Sequence, residues 1–224
     1  MSEMTLSYKI AWSSFRLIYS TYFHWRIFNP ERVPLAGSVI LASNHASYLD
    51  PPLVGAPLHR PINYIGRDTL FRFPIFGAVI RSWNAVPIDR HGTSPRGLKI
   101  IIERLKAGGG IVLFPEGTRT SDGKLQLAKA GIGLIIHKSG APVVPVRVFG
   151  TFEAFGRHMK IPRPRPIAVK YGWPMDFSKE RAEATSCSKD RLKGIYQEMA
   201  DRLMAEIARL QPCQDQDQFP PGRR

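Results

Sequence analysis

Apolar residues recur along this chain in two rhythms, and the alternation between them predicts the fold. Short runs rich in β-branched residues, bounded by polar or turn residues, predict strands over 38–43 (SVILAS), 62–66, 84–89, 110–114, 143–149 and 166–172. Helical spacing separates several of these runs. Ser94-Pro95 offers a cap followed by a proline in the first turn and predicts a helix to Lys106 that stops at glycines 108–110. A second helix is expected over 127–139, ending at Gly140. A third presents Leu192, Ile195, Met199, Leu203, Ile207 and Leu210 on one face. Strands interleaved with helices make an α/β fold. Residues 211–224 have no periodicity and are read as a disordered tail.

The first 30 residues form an amphipathic helical segment of another kind. Tyr8, Trp12, Phe15, Tyr19, Tyr22 and Phe23 share one face, whereas Lys9, Ser13, Arg16 and Ser20 follow the opposite stripe. Two readings follow. The aromatic face docks on the domain's own core, or the segment is membrane-interfacial, its rings with polar tips lying at the head groups and its cations meeting anionic lipid.

Composition narrows the class. A chain of 224 residues supports one sizeable core, and 43% hydrophobic residues without a run of about 18 apolar positions describe a globule rather than a membrane-spanning protein. Lysine and arginine number 32 against 18 acids, a formal charge of +14. Such an excess points to a polyanionic partner, nucleic acid or anionic lipid, or to an anionic substrate. Cys187 and Cys213 have no spacing that suggests a disulfide framework or a zinc site, in keeping with a reducing cytoplasm. The N-terminus lacks the pattern of a secretory signal.

Candidate chemistry lies where the predicted strands end. In ILASNHASYLDPP, His45 follows a strand and Asp50 stands five residues on, before Pro51 and Pro52. An imidazole oriented by a carboxylate is suited to take a proton from a hydroxyl near neutral pH. The plainer alternative has His45 capping a helix and Asp50 in a turn. Ser47 is a local nucleophile candidate, but it lacks the Gly-x-Ser-x-Gly turn that exposes one. The stretch FPEGTRT follows the strand over 110–114: Glu116 is an acceptor, Gly117 permits a tight turn and Arg119 offers a planar fork for phosphate. Arg90 ends another strand, and Lys129 opens the helix over 127–139, where free amides would also meet a phosphate. Together these residues suggest a base beside an anion site. No cluster with metal-ligand spacing appears, so no metal is expected.

Four segments, 44–50, 85–90, 114–120 and 141–146, resemble in order the motif blocks of the glycerol-phosphate and lysophosphatidate acyltransferase family. Asn44, His45 and Asp50 match Asn-His-x-x-x-x-Asp, and Ile88, Asp89 and Arg90 match Ile-Asp-Arg. Residues 114–119 match the Phe-Pro-Glu-Gly-Thr-Arg block, with Thr120 in place of the usual serine. Val143 to Val146 around Pro145 resemble the fourth block. Pro87 departs from the bulkier residues usual ahead of Ile-Asp-Arg.

The resemblance implies a single mixed-sheet αβα domain over 31–210. It further implies fatty acyl transfer from an acyl thioester, acyl-coenzyme A or acyl carrier protein, to the 2-hydroxyl of 1-acylglycerol 3-phosphate, giving phosphatidic acid. His45 would be general base, Asp50 its orienting partner, and no acyl-enzyme would form. Arg90, Glu116, Gly117, Thr118, Arg119 and Lys129 would form the acceptor site, and Asn44 would support the His loop or serve an oxyanion or turn. No cofactor beyond the thioester co-substrate is implied, and the expected place is the cytoplasmic face of an anionic membrane, peripheral or monotopic, with no nucleic-acid partner. Residues 66–83 would line an acyl groove or form core, and the basic stretch 157–166 would face the membrane, bind an acidic carrier or form a solvated loop. Another lysolipid acceptor, such as a lyso-ornithine lipid, or a non-catalytic basic binding module are the alternatives.

Overall fold

The computed structural model describes residues 4–88 and 95–215. Seven strands, β1 (Arg26–Phe28), β2 (Val39–Ser43), β3 (Ile62–Arg67), β4 (Ala85–Ile88), β5 (Gly110–Leu113), β6 (Val143–Phe149) and β7 (Ala168–Tyr171), form one sheet in the order β1-β7-β6-β2-β5-β3-β4. Strands β6, β2, β5, β3 and β4 are mutually parallel; β7 is antiparallel to β6, and β1 pairs parallel with β7. The sheet is therefore mixed. Pro87 lies in β4 at the sheet edge, where a missing N–H is tolerated.

Successive strand residues point to opposite faces, so one apolar run serves two cores. Ile40, Ala42, Ile111, Leu113 and Val143 face the helices α4 (Pro95–Lys106), α5 (Gly131–Ser139) and α8 (Lys189–Arg209), with Ala184 of α7 (Ser178–Ser186) in the same cluster. Val39, Leu41, Val112, Val144 and Tyr171 face the other way, against Tyr19 of α1 (Leu6–Thr21), Leu53 of α2 (Asp50–Gly55) and Ala154 of α6 (Thr151–Phe155). Helix α3 (Pro74–Ser82) packs beside β4. The result is helix, sheet, helix. Gly133 lets α5 and α8 touch, since a Cβ there would lie 2.2 Å from the Tyr196 carbonyl oxygen.

Helix α1 settles the first of the two N-terminal readings for its aromatic face. Tyr8, Tyr19 and Phe23 are buried, Phe15 packs on the core, Trp12 Nε1 donates to the Leu58 carbonyl at 3.0 Å and Tyr19 Oη to that of Leu49 at 2.9 Å. Most of the rings are therefore committed to the core, with Tyr22 alone of the six exposed. What faces outward is aliphatic: Leu6, Ile10 and Leu17 are 75%, 60% and 64% exposed. Arg16, placed by spacing on the outer stripe, instead donates to the Ala56 carbonyl and stacks on Trp12. The sheet also begins before Pro30, with β1.

Two further expectations are corrected. Helix α5 starts at Gly131 rather than 127, because the Lys129 N–H is drawn to the Pro115 carbonyl at 2.9 Å and holds that stretch against the 114–120 loop. Residues 211–215 are not a loose tail. Lys170 and Arg32, whose side chains are almost wholly buried, both ion-pair with Asp215 at 2.7 Å, and Lys170 Nζ also donates to the Cys213 carbonyl. Two buried cations need a counter-charge, and this segment brings it. The remainder of the expected tail, 216–224, lies outside the described residues.

Candidate active site

The C-terminal ends of parallel strands leave a crevice in an open α/β sheet, and here β2 and β5 end side by side. The chain leaves β2 at Ser43 and turns at once. Asn44 spends its amide on the backbone of β6: Nδ2 donates to the Val148 carbonyl at 3.3 Å and Oδ1 accepts the Val148 N–H at 2.9 Å. It pins the loop that follows, with both ends of its amide engaged by β6.

Pro51 and Pro52 open α2, and Asp50 heads its first turn, fully buried. One oxygen, Oδ2, receives three hydrogen bonds, from His45 Nδ1 at 2.8 Å, Ala46 N at 2.6 Å and Ser47 N at 2.7 Å. A carboxylate only accepts, so Nδ1 carries a hydrogen and Nε2 is left with its lone pair. The imidazole lies against the Phe114 ring, centroids 3.9 Å apart and planes within 16°, which fixes the ring plane. Its side chain is 17% exposed, enough to be reached. The capping alternative for His45 is not what is found.

Glu116 lies beneath this loop. Its Oε1 accepts the His45 N–H at 3.3 Å, its Oε2 is buried with no partner, and the residue is 2% exposed. Desolvation pushes its carboxyl up to about 7. The His45 and Gln126 N–H groups oppose that rise, while the Asp50 charge adds to it. The Thr120 N–H donates to the His45 carbonyl at 2.8 Å and closes the contact between the two loops.

Gly117 takes φ +72°, and a Cβ there would lie 3.0 Å from Lys129 Nζ, so the exposed Lys129 lies directly over a glycine turn. Lys129 directly precedes Ala130, the cap residue of α5, rather than lying within the helix. Arg119 stacks its guanidinium 3.4 Å from the Tyr48 ring centroid, with Nη1 buried and unpartnered. Thr118 is half-buried between them. The structure thus joins His45, Asp50 and Glu116 by hydrogen bonds, with Asn44 anchoring the start of their loop to β6 and Arg119 stacked on Tyr48 of the same loop. Arg90 lies outside the described residues.

Ser47 is not a nucleophile. Its hydroxyl is buried and donates to the Phe155 carbonyl at 2.7 Å, binding the His loop to the end of α6. Sequence reasoning passed over Tyr48, Phe114 and Arg67. The last is an exposed cation at the C-terminal end of β3, which runs parallel to β2 and β5, one residue beyond the predicted strand.

A mixed αβα sheet with a carboxylate-oriented imidazole near its strand ends, beside cations that have no ion pair among the described residues, has the groups suited to activating a hydroxyl beside an anion. The model of the Acyltransferase family matches residues 24–149, more than half of the chain and the whole span from Asn44 to Lys129, and the chain belongs to that family. It is 30% identical over 144 residues to the 1-acyl-sn-glycerol-3-phosphate acyltransferase of Bacillus subtilis, covering 64% of this chain and 71% of that one. It is 34% identical over 126 residues to the chloroplastic 1-acyl-sn-glycerol-3-phosphate acyltransferase LPAT1 of Arabidopsis thaliana, covering 54% of this chain and 35% of that one. With the Brassica napus relative BAT2 the identity is 35% over 116 residues, covering 50% of this chain and 33% of that one. The alignments thus span about a third of the length of these two plant relatives. The crystal structure of the 1-acyl-sn-glycerophosphate acyltransferase PlsC from Thermotoga maritima superposes with a TM-score of 0.68 at 26% identity, over 94% of this chain and 85% of that one.

Proposed function

We propose that this protein acylates 1-acylglycerol 3-phosphate with a fatty acyl thioester, giving phosphatidic acid and a free thiol. The observation that carries the reading is the three-donor grip of Asp50, which fixes His45 with Nε2 free to accept a proton. His45 Nε2 takes the proton of the acceptor 2-hydroxyl as its oxygen attacks the thioester carbonyl carbon. The tetrahedral intermediate then collapses, the C–S bond breaks, and the departing thiolate takes the proton back from the imidazolium. Asp50 stabilises the imidazolium between the two steps. The absence of a competent serine at Ser47 supports direct transfer without an acyl-enzyme.

Arg119 and Lys129 supply charge for the acceptor phosphate, with Gly117 allowing its oxygens close to the backbone. Arg90 belongs to the same expectation. Glu116 holds the His loop from below, and Thr118 lines the turn. The lipid substrates place the reaction at a membrane. Among the described residues no helix is long and apolar enough to cross one, and the outward aliphatic stripe of α1, Leu6, Ile10 and Leu17, suits peripheral docking on an anionic bilayer. Exposed Phe73 and Ile75, at the start of α3, offer apolar surface for the acyl chain.

The test uses purified protein on anionic vesicles with radiolabelled palmitoyl thioester, with and without lysophosphatidate, and with His45→Ala as control. Acceptor-dependent and His45-dependent phosphatidate formation is expected. Thioester hydrolysis that ignores the acceptor, or preference for a lyso-ornithine lipid over lysophosphatidate, would overturn the substrate assignment. Tight vesicle binding with no turnover would leave a basic binding module.

A further inference from the structure

The loop between α6 and β7 is outside the residues that the family model matches, and the chemistry above does not use it. From Ala154 to Met175 the chain has no acid, yet Arg157, Lys160, Arg163 and Arg165 stand within nine residues, all exposed and without an ion pair among the described residues. Unpaired like charges held this close repel one another. A surface segment keeps them only at a cost that an anion would relieve.

Two of these cations, Arg163 and Arg165, border a hollow. A cavity of about 570 Å³ is lined by Phe152, Glu153, His158, Met159, Arg163 and Arg165, with Gly150 and Pro166 closing it. Prolines 162, 164 and 166 alternate with the two arginines. Arg165 N donates to the Arg163 carbonyl at 2.8 Å in a tight turn about Pro164, and both arginines line the cavity. The loop is also tied down, by Arg163 N to the Ala154 carbonyl at 2.7 Å and by Tyr22 Oη to the Pro162 carbonyl at 3.1 Å. Also in the lining are the Phe152 and His158 rings, 5.2 Å apart and tilted by 53°. Glu153 is the one carboxylate in the lining.

The floor of this cavity is α6, and the end of α6 is bonded to the catalytic loop. Ser47 Oγ donates to the Phe155 carbonyl, and the Tyr48 and Phe155 rings are 5.6 Å apart. A coenzyme A thioester carries its sulfur at one end of a long pantetheine arm and a bisphosphorylated adenosine with its diphosphate at the other. Its phosphates must therefore bind near the reacting centre but apart from the acceptor's own phosphate. Resting on the acyl-transfer reading, we propose that this cavity receives the nucleotide end of a coenzyme A thioester, Arg163 and Arg165 taking its phosphates and Phe152 and His158 its adenine. Planar guanidinium forks match phosphate oxygens, and an aromatic face matches a base. A lipid surface would instead call for a convex patch, and an acidic carrier protein would meet the arginines with carboxylates and call for no nucleobase site.

The experiment titrates adenosine 3′,5′-bisphosphate into the full-length protein by calorimetry, with wild type, Arg163→Ala and the double variant Arg163→Ala/Arg165→Ala. It also measures KM for palmitoyl-coenzyme A and for the palmitoyl thioester of N-acetylcysteamine, which has no nucleotide. Both arginines are exposed, so the variants retain the fold, checked by circular dichroism. Nucleotide binding should weaken about tenfold or more for each guanidinium removed, and the ratio of the two KM values should rise in step. Binding that ignores the substitutions, or equal KM changes for both donors, overturns the proposal. So does loss of binding to phosphatidylglycerol vesicles with nucleotide binding intact, or a KM effect confined to palmitoyl-acyl carrier protein. Nucleotide binding that is lost in the variants while wild type turns over neither donor upholds the cavity and sinks the acyl-transfer reading instead.

Discussion

Replacing Asp50 with asparagine separates the electrostatic part of its role from the structural part. The asparagine oxygen can take the place of Oδ2, accepting from His45 Nδ1, Ala46 N and Ser47 N, while its NH2 falls where Oδ1 is buried without a partner. The three existing donors keep their acceptor, so the loop and the ring orientation persist, although the buried NH2 finds no acceptor there and costs about 1–3 kcal/mol of stability. What disappears is a full negative charge beside the imidazolium formed in the transition state. With about 4 Å between charge centres and an effective dielectric near 20, that attraction is worth about 4 kcal/mol, or about a thousandfold in rate. Asp50→Ala is a poorer probe, because it strands three buried donors at about 1–3 kcal/mol each and so endangers the fold as well. The assay is kcat for phosphatidate formation by Asp50→Asn, with thermal melting alongside. A kcat within tenfold of wild type in a protein still folded at the assay temperature would refute the claim that the Asp50 charge stabilises a protonated His45.

Other outcomes are equally specific. Glu116 binds its proton more tightly folded than unfolded, so its own contribution to stability is full below about pH 4.5 and is lost as pH rises to about 7, by at most about 3 kcal/mol. Glu116→Gln should flatten that part of the stability profile in urea titrations across pH, and an unchanged slope would show that Glu116 is already ionised. Arg119→Ala should raise KM for lysophosphatidate about tenfold or more with a smaller change in kcat; equal loss with a phosphate-free acceptor would remove it from the phosphate site. Asp215→Asn strands two buried cations, but Asp215 itself is partly exposed, so the cost is about 2 kcal/mol, a fall in Tm of roughly 4–8 °C near neutral pH. Burial would raise the Asp215 carboxyl, yet the Lys170 and Arg32 hydrogen bonds outweigh it and hold it below 3.8. Its contribution should therefore persist above that pH and vanish only as acid protonates it. A melting curve unchanged at pH 7 would refute the latch.

Legibility in the sequence follows distance along the chain. His45 and Asp50 are five residues apart in one turn, so their spacing alone suggests the pair, and the six predicted strands are each long enough to show a β-branched run. Glu116 under His45 is a contact between loops whose strands, β2 and β5, become neighbours only in the sheet; its block was recognisable, its proximity to the His45 N–H was not. β1 is three residues long, too short for any periodicity. Helical spacing in α1 identified both faces, but which one meets the core depends on the surface waiting at α2 and Leu58. Lys129 and Asp215 were misplaced for the same reason, since each is held by a distant partner, the Pro115 carbonyl in one case and Lys170 with Arg32 in the other.

The pairing of β1 with β7 has a bearing on synthesis. Ile27 leaves the ribosome early, but its register partner is Val169, so β1 stays unpaired while about 140 further residues are made. At roughly 5–20 residues per second that is on the order of ten seconds or more. Throughout that interval the rest of the sheet can assemble around β2 and β5, while one flank stays open on the nascent chain. That flank is a template for a foreign strand. Slowing of elongation after β6, or loss of a chaperone that shields nascent strands, should therefore lower the yield of native protein more than comparable stress applied before β2 is complete.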